Sequence, residues 1–176
     1  DNTNTLNCNV CINRIDLLFK ENKDPNEGLS LNNFWSTYLK TLNDFVRCIK
    51  NNIEVSVWRL GFVVTLSSML SESANKLLAE TYLKSNIFSN YYEIQLNILN
   101  KLTLNNLCHI NRWLKFKPLR LSADPSKDIV ILSLELDLNT LPEVRYTFNE
   151  AEIVNFFNLA YNHIISEVSG LIKVGG

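Results

Sequence analysis

The chain has 176 residues, of which 46% are hydrophobic and 20% charged, with a formal net charge of −1. That length holds one or two small domains, and the composition is that of a globular protein able to bury a core. The charge balance argues against nucleic-acid binding, because neutralising phosphates takes a clear excess of Lys and Arg.

The longest apolar stretch, residues 60–70, is too short and too rich in serine to span a bilayer. The opening residues Asp1, Asn2, Thr3, Asn4 and Thr5 lack the basic start and apolar segment of a secretory signal. Four cysteines are too few for a disulfide scaffold, so the expected location is the reducing cytoplasm. The 25 asparagines are read as genome composition or polar surface filler.

In chain order, Val10, Cys11, Ile15, Leu18 and Phe19 give a first helical stripe, and the polar run from Lys23 through Pro25 to Gly28 breaks it. Phe34, Tyr38, Leu42, Phe45, Val46 and Ile49 recur at helical spacing and predict a second helix, interrupted by Asn51 and Asn52. Residues 55–70 are apolar on most sides and predict a central helix with Trp58 in its core. Two more helices are expected over 73–84 and 90–101, carrying Leu77, Leu78, Tyr82, Ile94, Leu96, Ile98 and Leu99. Residues 1–103 are therefore expected to form an all-helical N-terminal bundle.

The helical period stops near 104–107, which places a second domain at 104–176. A first strand, 107–121, carries Trp113, Leu114, Phe116, Leu119 and Leu121. In a second, Val130, Leu132, Leu134, Leu136 and Leu138 alternate with Ser133, Glu135 and Asp137. After Pro142, Val144, Tyr146 and Phe148 alternate with Glu143, Arg145 and Thr147 and predict a third strand. Asn149 followed by Glu152 reads as a variant capping box, and Ile153, Phe156, Phe157, Ala160, Ile164, Val168 and Leu171 continue as one helical stripe. The fold class is α+β: a helical bundle followed by a small three-stranded antiparallel sheet and a C-terminal helix.

A module of about 70 residues with three strands and one helix buries little apolar surface and leaves two sheet edges open. At about 25 cal/mol per Å² of apolar area, a second copy could add on the order of 10 kcal/mol before association costs. Dimerisation through this module is expected. Its interface is assigned to Trp113, Leu132, Leu134, Leu136, Tyr146, Phe148, Phe156 and Phe157. Each of the five aromatic residues among them fits one domain's own core equally well.

The signals for chemistry are weak. Gly28, Gly61, Gly170, Gly175 and Gly176 are too scattered for a dinucleotide or phosphate-binding loop. Cys8 and Cys11 have metal-ligand spacing, but Cys48, Cys108 and His109 are far away in sequence. Cys108 and His109 are neighbours in a strand and point to opposite faces, so they make no dyad, and His163 has no nucleophile beside it in sequence. Glu135 and Asp137 read as a solvated face, Glu150 and Glu152 as helix-start acids, and Lys115, Lys117 and Arg120 as a charged strand edge. No catalytic, cofactor or metal site is assigned, and the chain is expected not to be an enzyme.

The order and spacing of Trp113, the Pro125 loop, the strand from Leu134 to Leu138, and Phe148, Asn149, Glu150, Ala151 and Glu152 leading into the helix resemble the COMM domain proteins. The resemblance covers about two-fifths of the chain. It implies a non-enzymatic adaptor that forms interlocked homo- or heterodimers with other COMM domain proteins and assembles with coiled-coil scaffold proteins. It also implies endosome association and a role in endosomal sorting of membrane proteins. The alternative from another class is a small-ligand or lipid-binding helical module, with its pocket beside the 55–70 helix.

Overall fold

The computed structural model describes residues 5–11, 14–20, 31–52, 54, 56–69, 78, 94–120 and 130–174. The chain divides into two compact units, Asp1–Val55 and Ser56–Gly176. Among the described residues there are six strands and two helices, so the N-terminal region is not the all-helical bundle expected.

The first unit opens with an antiparallel hairpin of β1 (Thr5–Cys11) and β2 (Arg14–Lys20). Leu6, Cys8 and Val10 alternate with Asn7 and Asn9, and this period of two overrides the helical spacing read across Val10 to Phe19. Ile15 and Leu18 are exposed. The helix that follows, α1 (Leu31–Asn52), agrees with the second expected helix. Its buried stripe is Trp35, Tyr38, Leu42 and Val46, at spacings of three and four. Phe19 meets Tyr38 edge-to-face at 5.9 Å, and Trp35 stacks on Tyr38 at 5.4 Å. Burial raises the Tyr38 hydroxyl to a pKa of about 12. At the helix end the Asn52 side-chain amide donates to the Cys48 carbonyl at 2.7 Å, satisfying one of the carbonyls a helix end leaves open.

The second unit is built on a four-stranded antiparallel sheet, in the order β3–β6–β5–β4. Its strands are β3 (Gly61–Met69), β4 (Leu96–Leu104), β5 (Cys108–Arg120) and β6 (Val130–Thr140). Two of the expected helices are therefore strands. In β3 a glycine and the β-branched Val63, Val64 and Thr65 disfavour helix, and an edge strand tolerates apolar side chains on both faces. In β4, Ile94, Leu96 and Ile98 already alternate with Gln95 and Asn97.

The expected division between 103 and 104 falls at the end of β4, beside the turn of the β4–β5 hairpin. Asn105 and Asn106 have φ of 42° and 59°, and the Leu107 N–H donates to the Leu104 carbonyl at 2.8 Å. Positive φ at two successive positions is what a type I′ hairpin turn demands, and asparagine tolerates it better than most residues. The helix expected over 73–84 lies outside the described residues except for Leu78, which is helical and buried.

The expected strand over 144–148 does not form. Val144 N–H closes a turn onto the Leu141 carbonyl at 3.2 Å, and only Phe148 makes a bridge, its N–H donating to the Val57 carbonyl at 3.0 Å. Tyr146 and Phe148 stack at 5.2 Å, and the Tyr146 hydroxyl accepts from the His109 N–H at 3.0 Å, so ring packing fixes this segment in place of a ladder.

The closing helix, α2 (Glu150–Val174), starts where the capping box places it. Ile153, Phe156, Ala160, Ile164 and Val168 are buried, as the stripe predicts. Phe157 meets Phe62 of β3 edge-to-face at 5.9 Å, which fixes α2 on one face of the sheet. Ile110, Leu114, Phe116, Leu136 and Leu138 are buried on that face. Thr140, fully buried, is satisfied at the rim: its hydroxyl accepts from Leu60 N–H at 3.1 Å and lies 3.3 Å from the Leu60 carbonyl.

Candidate protein-interaction surface

Because side chains alternate along a strand, the face of the sheet opposite α2 is fixed by the registers. One cross-strand row on that face runs Val63, Asp137, Trp113, Leu99, from β3 through β6 and β5 to β4. Val63 is 54% exposed and Leu99 42% exposed, while Trp113 is half-buried between them. The next row runs Thr65, Glu135, Lys115, Asn97.

Three of the charges of this face meet one another. The Lys115 ammonium lies 2.5 Å from Glu135 and 3.6 Å from Asp137, and 6.0 Å from the centre of the Trp113 ring. The hydrogen bond to Glu135 is the main reason the Lys115 pKa is raised, with the two carboxylate charges adding to it and burial opposing. Two carboxylates share one ammonium, so this part of the face is locally acidic. Lys117 is exposed further along β5. Towards the β4–β5 turn the His109 ring nitrogen and the Thr103 hydroxyl are 2.9 Å apart, and Lys101 pairs with Glu143 at 3.3 Å.

The face under α2 holds a different polar group. Arg112 meets Glu167 at 2.5 Å, and His163 lies 3.8 Å from the same carboxylate. The Asn100 side-chain oxygen, with its amide turned, accepts from Arg112. Burial depresses the His163 pKa, Glu167 opposes that, and Arg112 adds to it.

The residues assigned to an interface from the sequence fall in three places. Trp113 is on the open face. Leu132 and Leu134 lie half-buried on the α2 side, and Tyr146 is half-buried at the rim. Leu136, Phe148, Phe156 and Phe157 are buried within the chain's own core. Sequence reasoning missed Val63 and Leu99, which the register brings into the Trp113 row. Trp58, expected in the core, is 40% exposed, and the Arg145 guanidinium lies 5.9 Å from the centre of its ring.

Cys108 and His109 face opposite sides of the sheet. Cys108 is buried, which pushes its thiol up to about 11, whereas His109 is exposed. Cys8 and Cys48 are exposed, and the side chain of Cys11 lies outside the described residues. Among the described residues no three His, Cys, Asp or Glu side chains are arranged to hold a metal ion. No helix among them is long and apolar enough to cross a membrane.

A comparison with protein-family models finds no match. Neither the curated proteins nor the solved structures contain a significant match.

Proposed function

We propose that this chain is a non-enzymatic adaptor subunit that homo- or heterodimerises through its C-terminal unit. The observation that carries the reading is the open row in which Val63, Trp113 and Leu99 place apolar side chains on three of the four strands, with Asp137 of β6 between Val63 and Trp113 and no covering layer among the described residues. Antiparallel sheets commonly leave a polar second face to water, so exposed Val63 and Leu99 beside Trp113 on this face mark where a partner would gain apolar contact. Aromatic residues at the centre of such a face are the usual energetic anchors of protein partners.

The COMM resemblance gives this reading a context. The carriers β6, Phe148 and the capped α2 are contiguous in the structure, and β3 joins them through the β6 ladder and the Val57–Phe148 bridge. Two carriers do not add to this: Trp113 lies well inside β5 and not near its start, and the Pro125 loop lies outside the described residues. On this reading the partners are a second copy or other COMM domain proteins, with coiled-coil scaffold proteins of the same assembly. The setting is the cytoplasmic side of endosomes, in sorting of membrane proteins. A lipid-binding module has less support, because residues 61–69, expected in the helix beside its pocket, form an edge strand.

The test is the solution mass of the full chain by light scattering across a concentration series, repeated for Trp113→Ala and for Val63→Lys with Leu99→Lys. A dimer that these variants dissociate without loss of helix and strand signal supports the reading. A monomer at all concentrations removes homodimerisation, and a dimer indifferent to them removes the open face as its interface.

A further inference from the structure

A second surface of the C-terminal unit is distinct from the open face: the outer edge of β3. We infer that this edge is a strand-addition site for an extended partner segment with aliphatic residues on the α2 side and hydroxyl and basic residues on the open side.

The register identifies which backbone groups are available. Thr140 N–H donates to the Leu60 carbonyl at 2.9 Å, so the Leu60–Thr140 pair is one whose backbone groups face each other. In an antiparallel ladder such pairs alternate, so Phe62, Val64 and Leu66 spend their backbone groups on β6, and Gly61, Val63, Thr65 and Ser67 turn theirs outward. No described residue pairs with that outer side, and the side chains of Val63, Thr65 and Ser67 are exposed.

Edge strands are ordinarily guarded by charge, proline or a bulge. The opposite edge, β4, carries Lys101 in mid-strand, held by Glu143. β3 has no charged residue and no proline in its nine residues, GFVVTLSSM. An unguarded, regular edge of this length is a template for main-chain pairing.

The occupant follows from area and charge. A strand of nine residues is about 30 Å long, and pairing two such edges buries on the order of 600 Å², about half of what a persistent protein dimer needs. An extended segment bound mainly through backbone hydrogen bonds has no such requirement. On the α2 side, Val64 and Leu66 are half-buried and accept aliphatic neighbours. On the open side the acidic pair Glu135 and Asp137 lies one strand behind β3, within reach of a lysine or arginine on an added strand. This site operates whether or not the chain dimerises through its open face.

The probe is a fluorescently labelled, capped heptapeptide alternating valine with lysine and threonine, titrated into the full chain by anisotropy, with backbone amide shifts followed by NMR. The expected result is saturable binding with shifts centred on the Val63, Thr65 and Ser67 amides. N-methylation of the peptide amides that face β3 weakens it at least tenfold, whereas N-methylation of the alternate set leaves it unchanged. Thr65→Pro, which removes an outward N–H and no ladder bond, abolishes binding, and Asp137→Asn weakens it several-fold. Absence of saturable binding, equal binding of the two N-methylated peptides, or a chain mass that doubles through β3 and is halved by Thr65→Pro overturns the proposal. Because the N-methyl comparison uses the unaltered protein, it decides the matter even if the proline variant fails to fold.

Discussion

Asn149 and Glu152 cap one another. The Glu152 N–H donates to Asn149 Oδ1 and the Asn149 N–H donates to Glu152 Oε2, both at 2.9 Å. This reciprocal pair sets where α2 begins, and with it the registration of Ile153, Phe156 and Phe157 against the sheet. Asn149→Ala leaves an N–H at the helix start without its partner and should cost about 1 kcal/mol in urea unfolding. Asn149→Asp keeps the acceptor and should cost little.

Leu136 is fully buried in the centre of β6, beneath α2. Leu136→Ala should lower stability by about 2–5 kcal/mol, through lost burial and the cavity left behind. Leu136→Asp should lose the native circular dichroism signal altogether and so reports on folding. Variants that separate association from folding belong on the open face, at Val63, Trp113 and Leu99.

These placements show what the sequence made legible. β5, β6 and α2 were readable because each has an uncompromised period, and the capping box marked a boundary that the hydrogen bonds reproduce. β3 was not, since Phe62, Val63, Val64 and Leu66 form a nearly unbroken apolar run whose period is ambiguous between helix and strand. β4 was obscured by Leu99, an exposed leucine that lies three residues after Leu96 and so completes a false helical spacing. The Asn105–Asn106 turn was the available correction, since two asparagines between alternating runs signal a hairpin. Of the interaction surface only Trp113 was identified, because Val63 and Leu99 join its row through pairings between residues far apart in the chain.

Gly61 sits opposite Asn139, whose amide donates to Asp137. A Cβ at Gly61 would run into Asn139 Oδ1, which must swing away and give up that hydrogen bond. Gly61→Ala should therefore cost about 1 kcal/mol. The same substitution in an Asn139→Ala background should cost clearly less, and a double-mutant cycle by chemical denaturation measures the difference.

His163 gives the C-terminal unit a pH dependence of definite sign. Burial holds its folded pKa below the ordinary 6.5, although Glu167 pulls the other way and Arg112 adds to the depression. The unfolded chain therefore binds a proton before the folded chain does. The contribution of neutral His163 is fully present above about pH 6.5 and is lost as the pH falls from there towards the folded pKa. Urea midpoints should drop between about pH 7.5 and about pH 5.5. His163→Gln, which cannot charge, should flatten that part of the profile while leaving the Arg112–Glu167 pair at 2.5 Å in place. If the variant keeps the full drop, the titration belongs to another group. If the drop steepens, the protonated ring is stabilised by Glu167 more than burial penalises it, and the sign is reversed.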